Sequence, residues 1–356
     1  MNQSILQEVL DAFGIKEKVV PYGNGHINDT YCSVSAKYII QRINTDVFQD
    51  ADALMGNIER VTEFLKKKII AEGGDPERET LTVVKTVDGK PYYKFDDDNV
   101  FRVYLCIGQT YTIESDKTPE DMYNAGKGFG KFQQMLADFD AESLNETIVD
   151  FHNTPKRVEA LKQAIAEDRA GRADSVRVEI DFALKNAEFS DIVVNGIKSG
   201  DIPLRVTHND TKINNILYDE QSGEAIAVID LDTVMPGSML YDFGDALRMG
   251  ASTAAEDETN LDDVRFDKEC FEAFARGYLA ETKSVMSPME LELLPFSVKL
   301  LTYECGTRFL TDYLNGDVYF KIHRENHNLD RARNQFKLVS EIAKIEDELK
   351  EIVRNI

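Results

Sequence analysis

Apolar positions recur at helical spacing across residues 4–13, where Ile5, Val9, Leu10 and Phe13 share one face between a Ser4 cap and Gly14. Three short runs follow, at 19–22, 30–34 and 38–43, whose β-branched and aromatic residues predict strands. Residues 53–67 return to helical spacing, with Leu54, Ile58, Val61 and Leu65 on one side. Residues 81–85 and 91–95 flank Asp88-Gly89, a tight-turn dipeptide that predicts a hairpin, and 100–106 adds a strand. The first 105 or so residues therefore predict an antiparallel sheet with one long helix inserted after its third strand.

Past residue 115 the period changes. Helical spacing dominates at 119–139, 155–168, 176–186, 266–279, 290–314 and 331–353, the last strongly charged. Only 204–208, 215–218 and 225–231 read as strands there. The pattern predicts an α+β chain, with a β-rich lobe at 1–107 and a larger, mainly helical lobe at 108–356.

Composition narrows the chemistry. The 356 residues suffice for a sizeable core, and 42% apolar with 29% charged residues is ordinary for a globular protein. No apolar run approaches the ~18 residues of a membrane span, and Met1-Asn2-Gln3-Ser4 lacks a signal-peptide pattern. Cys32, Cys106, Cys270 and Cys305 form no CxxC motif, which fits free thiols in the cytoplasm rather than zinc or disulfides. The net charge of −23 (41 basic, 64 acidic residues) disfavours nucleic acid and anionic membranes as partners. A phosphate site must then be local, built from metal, basic side chains and backbone N–H groups.

The strongest chemical signal is His208-Asn209-Asp210-Thr211-Lys212-Ile213-Asn214-Asn215, an H-x-D-x-K-x-x-N pattern followed fifteen residues later by Asp230 at the end of an apolar run. Phosphoryl transfer needs a carboxylate beside the acceptor hydroxyl, plus an amide oxygen and a second carboxylate to hold Mg²⁺ on the nucleotide phosphates. Asp210 fits the base, with Lys212 against charge on the transferred group, and Asn215 and Asp230 fit the metal ligands. Asp232 falls two residues on, on the same face of an extended chain, as a further ligand or as a support.

A second cluster, Tyr22-Gly23-Asn24-Gly25-His26-Ile27-Asn28, lies between two predicted strands. Gly23 and Gly25 there let backbone N–H groups approach phosphates. The strand at 38–43 places Gln41 where a kinase carries the lysine that contacts α- and β-phosphates, so a lysine–glutamate pair cannot form at that position. Glu59, on the inserted helix, is the natural partner to test, or else simply an exposed helix glutamate. Late in the chain, Arg308 and Tyr319 stand among apolar residues. Arg308 suits a polyhydroxylated ligand, or an ion pair with Glu304 at i, i+4 spacing.

These segments resemble the aminoglycoside phosphotransferase and choline kinase superfamily and, within it, the bacterial N-acetylhexosamine 1-kinases. The resemblance spans nearly the whole chain and is carried by residues 21–31, 202–217, 228–248 and 300–320. It implies a bilobal protein-kinase-like fold and ATP- and Mg²⁺-dependent phosphorylation of the anomeric hydroxyl of N-acetylglucosamine or N-acetylgalactosamine. It further implies that Gly23, Gly25, Asn28, Gln41, Phe101 and Tyr104 contact the nucleotide, with adenine against residues 101–107. His26, Asp210, Thr233, Arg308 and Tyr319 would surround the sugar. The neighbouring alternative is a kinase for another hydroxyl acceptor, such as an aminoglycoside, choline or homoserine.

Overall fold

The computed structural model describes residues 3–23, 28–114 and 117–356. Contacts group them into two compact units. One comprises Met1–Thr112, Met135–Val149 and Asn214–Pro236, and the other Ile113–Gln134, Asp150–Ile213 and Gly237–Ile356.

The first unit opens with α1 (Gln3–Ala12), β1 (Val19–Pro21), β2 (Asp29–Ser33) and β3 (Tyr38–Ile43). It continues with α2 (Ala51–Ala71), β4 (Val83–Val84), β5 (Tyr93–Lys94), β6 (Val100–Leu105) and β7 (Thr110–Tyr111). The sheet order is β1-β2-β3-β6-β4, every pairing antiparallel, with β5 also on β6. Period-two alternation sends Ile40, Phe101 and Val103 into a core with Val9 and Leu10 of α1 and with Phe13 just after it. The expected long helix after β3 is present, begun by Asp50, whose carboxylate accepts the Ala53 N–H at 2.9 Å. The expected hairpin across Asp88-Gly89 is not formed as such. The turn is there, with Gly89 at φ 86°, but β4 and β5 each pair with a different stretch of β6.

The helical unit contains α3 (Pro119–Met135, but for its last residue), α4 (Thr154–Glu167), α5 (Arg177–Lys185), α6 (Ile192–Ser199) and β8 (Arg205–Thr207). The chain then returns to the sheet unit as β9 (Ile216–Asp219) and β10 (Ala225–Val228), which form a second antiparallel sheet in the order β10-β9-β7. After β11 (Met235–Gly237) come α7 (Met239–Gly250), α8 (Lys268–Thr282), α9 (Pro288–Asn315), α10 (His327–Lys344) and α11 (Glu346–Asn355). The single charged helix expected over 331–353 is two, broken at Ile345.

α9 organises the helical unit. A capping box joins Ser287 and Glu290 at its start, and α4, α7 and α10 pack around it. Arg205 of β8 grips the fully buried Glu290 with two bonds, of 3.1 and 3.0 Å, which fixes the strand leading into the H-x-D-x-K-x-x-N motif. Where α3 meets α8, a Cβ on Gly126 would overlap the Phe274 carbonyl and one on Gly277 the Tyr123 carbonyl, so glycine sets the approach of the two helices.

Candidate active site

Within the sheet unit, a cavity of about 240 Å³ lies over the face of β3 and β6 opposite α1. Ile39, Leu81, Tyr104, Leu217 and Ile229 give it apolar walls, and the connector Leu105–Ile107 forms part of its rim. Gly23, Gln41, Arg102, Asn215 and Asp230 supply its polar groups. Five residues expected from sequence, Gly23, Gln41, Tyr104, Asn215 and Asp230, thus meet at one cavity. Gly23 has φ 74°, a conformation that disfavours a side chain. Gly25 and His26 lie outside the described residues.

Phe101 requires a correction. It is fully buried in the core beneath α1, on the opposite face of the sheet, because neighbours along a strand point to opposite sides. Its place at the cavity is taken by Arg102 and Tyr104. Arg102 is 1% exposed; its Nε and Nη2 donate to Gln41 Oε1 at 3.0 and 2.8 Å, and Nη1 pairs with Asp232. Burial disfavours the guanidinium charge, but the Asp232 carboxylate overrides it and holds Arg102 above its ordinary pKa. Glu59 does have a lysine partner, Lys85 just past β4, and not one on β3.

The turn after β10 places the acids. Asp230 adopts φ 59°, a left-handed conformation uncommon outside glycine, and a short 3₁₀ turn at Leu231–Thr233 follows. The extended run expected to 231 stops at Val228, so Asp230 and Asp232 do not share a strand face. Asp230 opens on the cavity, whereas the buried Asp232 accepts from Asn28 Nδ2 at 2.7 Å besides pairing with Arg102. Asn28, expected at the nucleotide, instead links Asp232 to the Asn44 N–H, which its Oδ1 accepts at 3.0 Å. The buried Asn57 of α2 pins the same turn by donating to the Val234 carbonyl at 3.0 Å. Thr233 lies in this turn and is buried.

The H-x-D-x-K-x-x-N motif crosses from the helical unit to the sheet unit between Ile213 and Asn214. In the helical unit, α7 holds the loop by its backbone. Asp242 accepts the N–H groups of His208 and Asn209 at 2.9 and 2.7 Å, and Asp245 that of Thr211 at 3.0 Å. The i, i+3 spacing puts both carboxylates on one face of the helix. His208 is fully buried, edge-on to Phe129 and Phe132, and its Nδ1 accepts the Asp210 N–H at 3.2 Å. Asn209 has φ 65°, and its carbonyl accepts from His152 Nε2 at 3.3 Å. Held this way, Asp210 presents its carboxylate to Lys212 Nζ, 2.8 Å away. Partial burial opposes the ammonium charge, yet Asp210 keeps Lys212 above its ordinary pKa.

Farther along the helical unit, Arg308 lies over the rings of Phe151 and Phe320, each 5.4 Å from the guanidinium carbon, with Tyr319 at 6.0 Å. Asp312 fixes the Tyr319 loop by accepting the N–H groups of Val318, Tyr319 and Phe320. Glu304, weighed as a partner for Arg308, directs its oxygens to His152 Nδ1 at 2.8 Å and Thr154 Oγ1 at 2.6 Å. Burial raises its pKa, but the His152 ring outweighs that and the carboxyl stays below its ordinary range. Sequence reasoning passed over Arg102, His152, Asp242 and Asp245. For the last two a signal existed: the acids of Tyr241-Asp242-Phe243-Gly244-Asp245 are one helical turn apart.

Residues 18–287 match the model of the phosphotransferase enzyme family. A microcompartment-associated aminopropanol kinase superposes with a TM-score of 0.63 at 15% identity, over 98% of this chain and 99% of that one. An aminoglycoside phosphotransferase from Alicyclobacillus acidocaldarius gives 0.61 at 13%, over 98% and 96%. A spectinomycin phosphotransferase in complex with ADP and spectinomycin gives 0.59 at 13%, over 98% and 99%. The chain belongs to the phosphotransferase enzyme family, with the mixed α+β fold of aminoglycoside kinases. Among the described residues, no helix is long and apolar enough to cross a membrane.

Proposed function

We propose that this phosphotransferase is an ATP- and Mg²⁺-dependent kinase that phosphorylates the anomeric hydroxyl of N-acetylhexosamines, giving the sugar 1-phosphate. The observation that carries the acceptor class is the setting of Arg308. A guanidinium among Phe151, Tyr319 and Phe320 suits the hydroxyl and carbonyl oxygens of a neutral sugar. Arg157 stands close enough that burial and the Arg308 charge together lower its pKa. Two cations suit neither a polycationic aminoglycoside nor a quaternary ammonium group.

The other roles follow from the chemistry of each residue. Asp210 accepts the proton of the attacking hydroxyl and keeps its oxygen aligned, while Lys212 offsets charge on the phosphoryl oxygens. The apolar cavity over β3 and β6 takes adenine, and the connector Leu105–Ile107 reads its edge. Asn215 and Asp230 offer hard oxygen donors at that same cavity. One amide and one carboxylate match the way Mg²⁺ is held in phosphotransferases, where substrate phosphates and water complete its shell. Bound there, the ion would neutralise and orient the β- and γ-phosphates.

The test is an acceptor panel followed by ADP release, together with Arg308→Ala. Turnover of N-acetylhexosamines, little turnover of choline or kanamycin, and a variant whose sugar KM rises far more than its ATP KM are expected. Turnover of a cationic acceptor alone would overturn the substrate class. Equal rises in both KM values would make Arg308 structural.

A further inference from the structure

Gln41 leaves the nucleotide cavity without the strand cation that phosphoryl transfer ordinarily uses, and the sheet register shows what stands beside it. Thr30 of β2, Gln41 of β3 and Arg102 of β6 are successive cross-strand partners, and all three line the cavity. Arg102 is the one cationic side chain among the described lining residues. We propose that Arg102, reaching from β6, is the phosphate-binding cation of this site and replaces the lysine absent from β3. The inference rests on the nucleotide reading above.

Three observations carry it. First, a guanidinium 1% exposed is costly to bury, and a cavity receiving anionic phosphates gives that charge a use. Second, its guanidinium is held in a fixed orientation with donors to spare. Gln41 takes Nε–H and one Nη2–H, and Asp232 takes one Nη1–H. Of the five N–H donors of a guanidinium, those three contacts leave two, one on each terminal nitrogen, beside the wall that also carries Asp230. Third, the helix glutamate that partners the strand lysine in kinases is committed elsewhere, since Glu59 pairs with Lys85. Asp232 serves Arg102 in its stead. Arginine suits the place better than lysine because its planar fork keeps its charge when buried and can hold Gln41, Asp232 and a phosphate oxygen together.

Calorimetric titration of the whole chain with Mg·ADP and with adenosine, for wild type, Arg102→Lys and Arg102→Met, tests the assignment. Arg102→Met should bind ADP about 10- to 100-fold more weakly, the range for losing a hydrogen bond to a charged group, and adenosine within about twofold of wild type. Arg102→Lys should fall between for ADP. Equal losses for ADP and adenosine, or unchanged ADP binding, would overturn the proposal and leave Arg102 a purely structural link. If the methionine variant does not fold, the lysine variant decides: a fall in its ADP affinity relative to adenosine supports the proposal, and an unaltered ratio contradicts it. Wild type that bound neither ligand would instead remove the nucleotide reading.

Discussion

Asp210 owes its proposed role to its neighbours more than to its own position. Its backbone N–H is taken by His208, its flanking amides by Asp242 and Asp245, and its carboxylate by Lys212. Asp210→Asn keeps the shape and removes the base, so kcat should fall at least ~10²-fold, the low end for loss of a general base, while ADP binding measured by calorimetry stays near wild type. Wild-type turnover in that variant would exclude the role. Glu304 makes a pH-dependent prediction. Its carboxyl sits below its ordinary value of 4.5, held there by His152 against burial. An acid with a lowered folded-state pKa contributes stability that is present above the ordinary value and is lost as pH falls through the lowered one. Glu304→Gln should therefore be less stable than wild type at neutral pH. In urea melts its gap from wild type should narrow as pH falls through the lowered carboxyl pKa. A gap independent of pH would mean that charge is not what Glu304 supplies.

At the level of elements, periodicity exposed whatever has one wet face. The helix α2, strands β2, β3 and β6, and helices α3, α4, α5 and α8 lie close to where alternation placed them. What stayed hidden was buried or short. α7 is buried at all but one of its positions, so it has no wet face, and its polar side of Asp242, Asp245 and Arg248 meets protein partners. The pairing of β4 and β5 depends on β6, which no local turn signal reports. That Arg102 and not Phe101 lines the cavity stayed hidden for a related reason: the sequence shows a strand's two faces but not which one meets the cavity. Helix contact yields a prediction of its own. Gly277→Ala drives a methyl into the Tyr123 carbonyl, so it should cost about 1–3 kcal/mol, read as a lower melting temperature. An unchanged melting temperature would show that α3 and α8 separate freely.

Across the whole molecule, the −23 charge and the proposed function pull in different directions: the surface repels nucleotides at long range, while an ATP-dependent kinase requires one. In the sheet unit, the buried Arg102 supplies a local cation at the cavity where phosphates are proposed to bind. Screening long-range repulsion should therefore help binding, and the KM for ATP should not rise between ~20 and ~150 mM salt, a span that shortens the Debye length to about 8 Å. A steep rise would mean that exposed cations capture the nucleotide. The acids and amides of the motif were legible because chemistry dictates their spacing, from Asp210 to Asn215 to Asp230. The acceptor was less so, since Arg308 and Tyr319 acquire meaning only from the rings and loop around them.

Phosphorus NMR of the product formed from ATP and N-acetylglucosamine or N-acetylgalactosamine tests the central claim most directly. The account predicts a phosphate coupled to the anomeric proton, absent when Asp210→Asn replaces the wild-type chain. A phosphate on any other hydroxyl, or product formed only from a cationic acceptor, would contradict it.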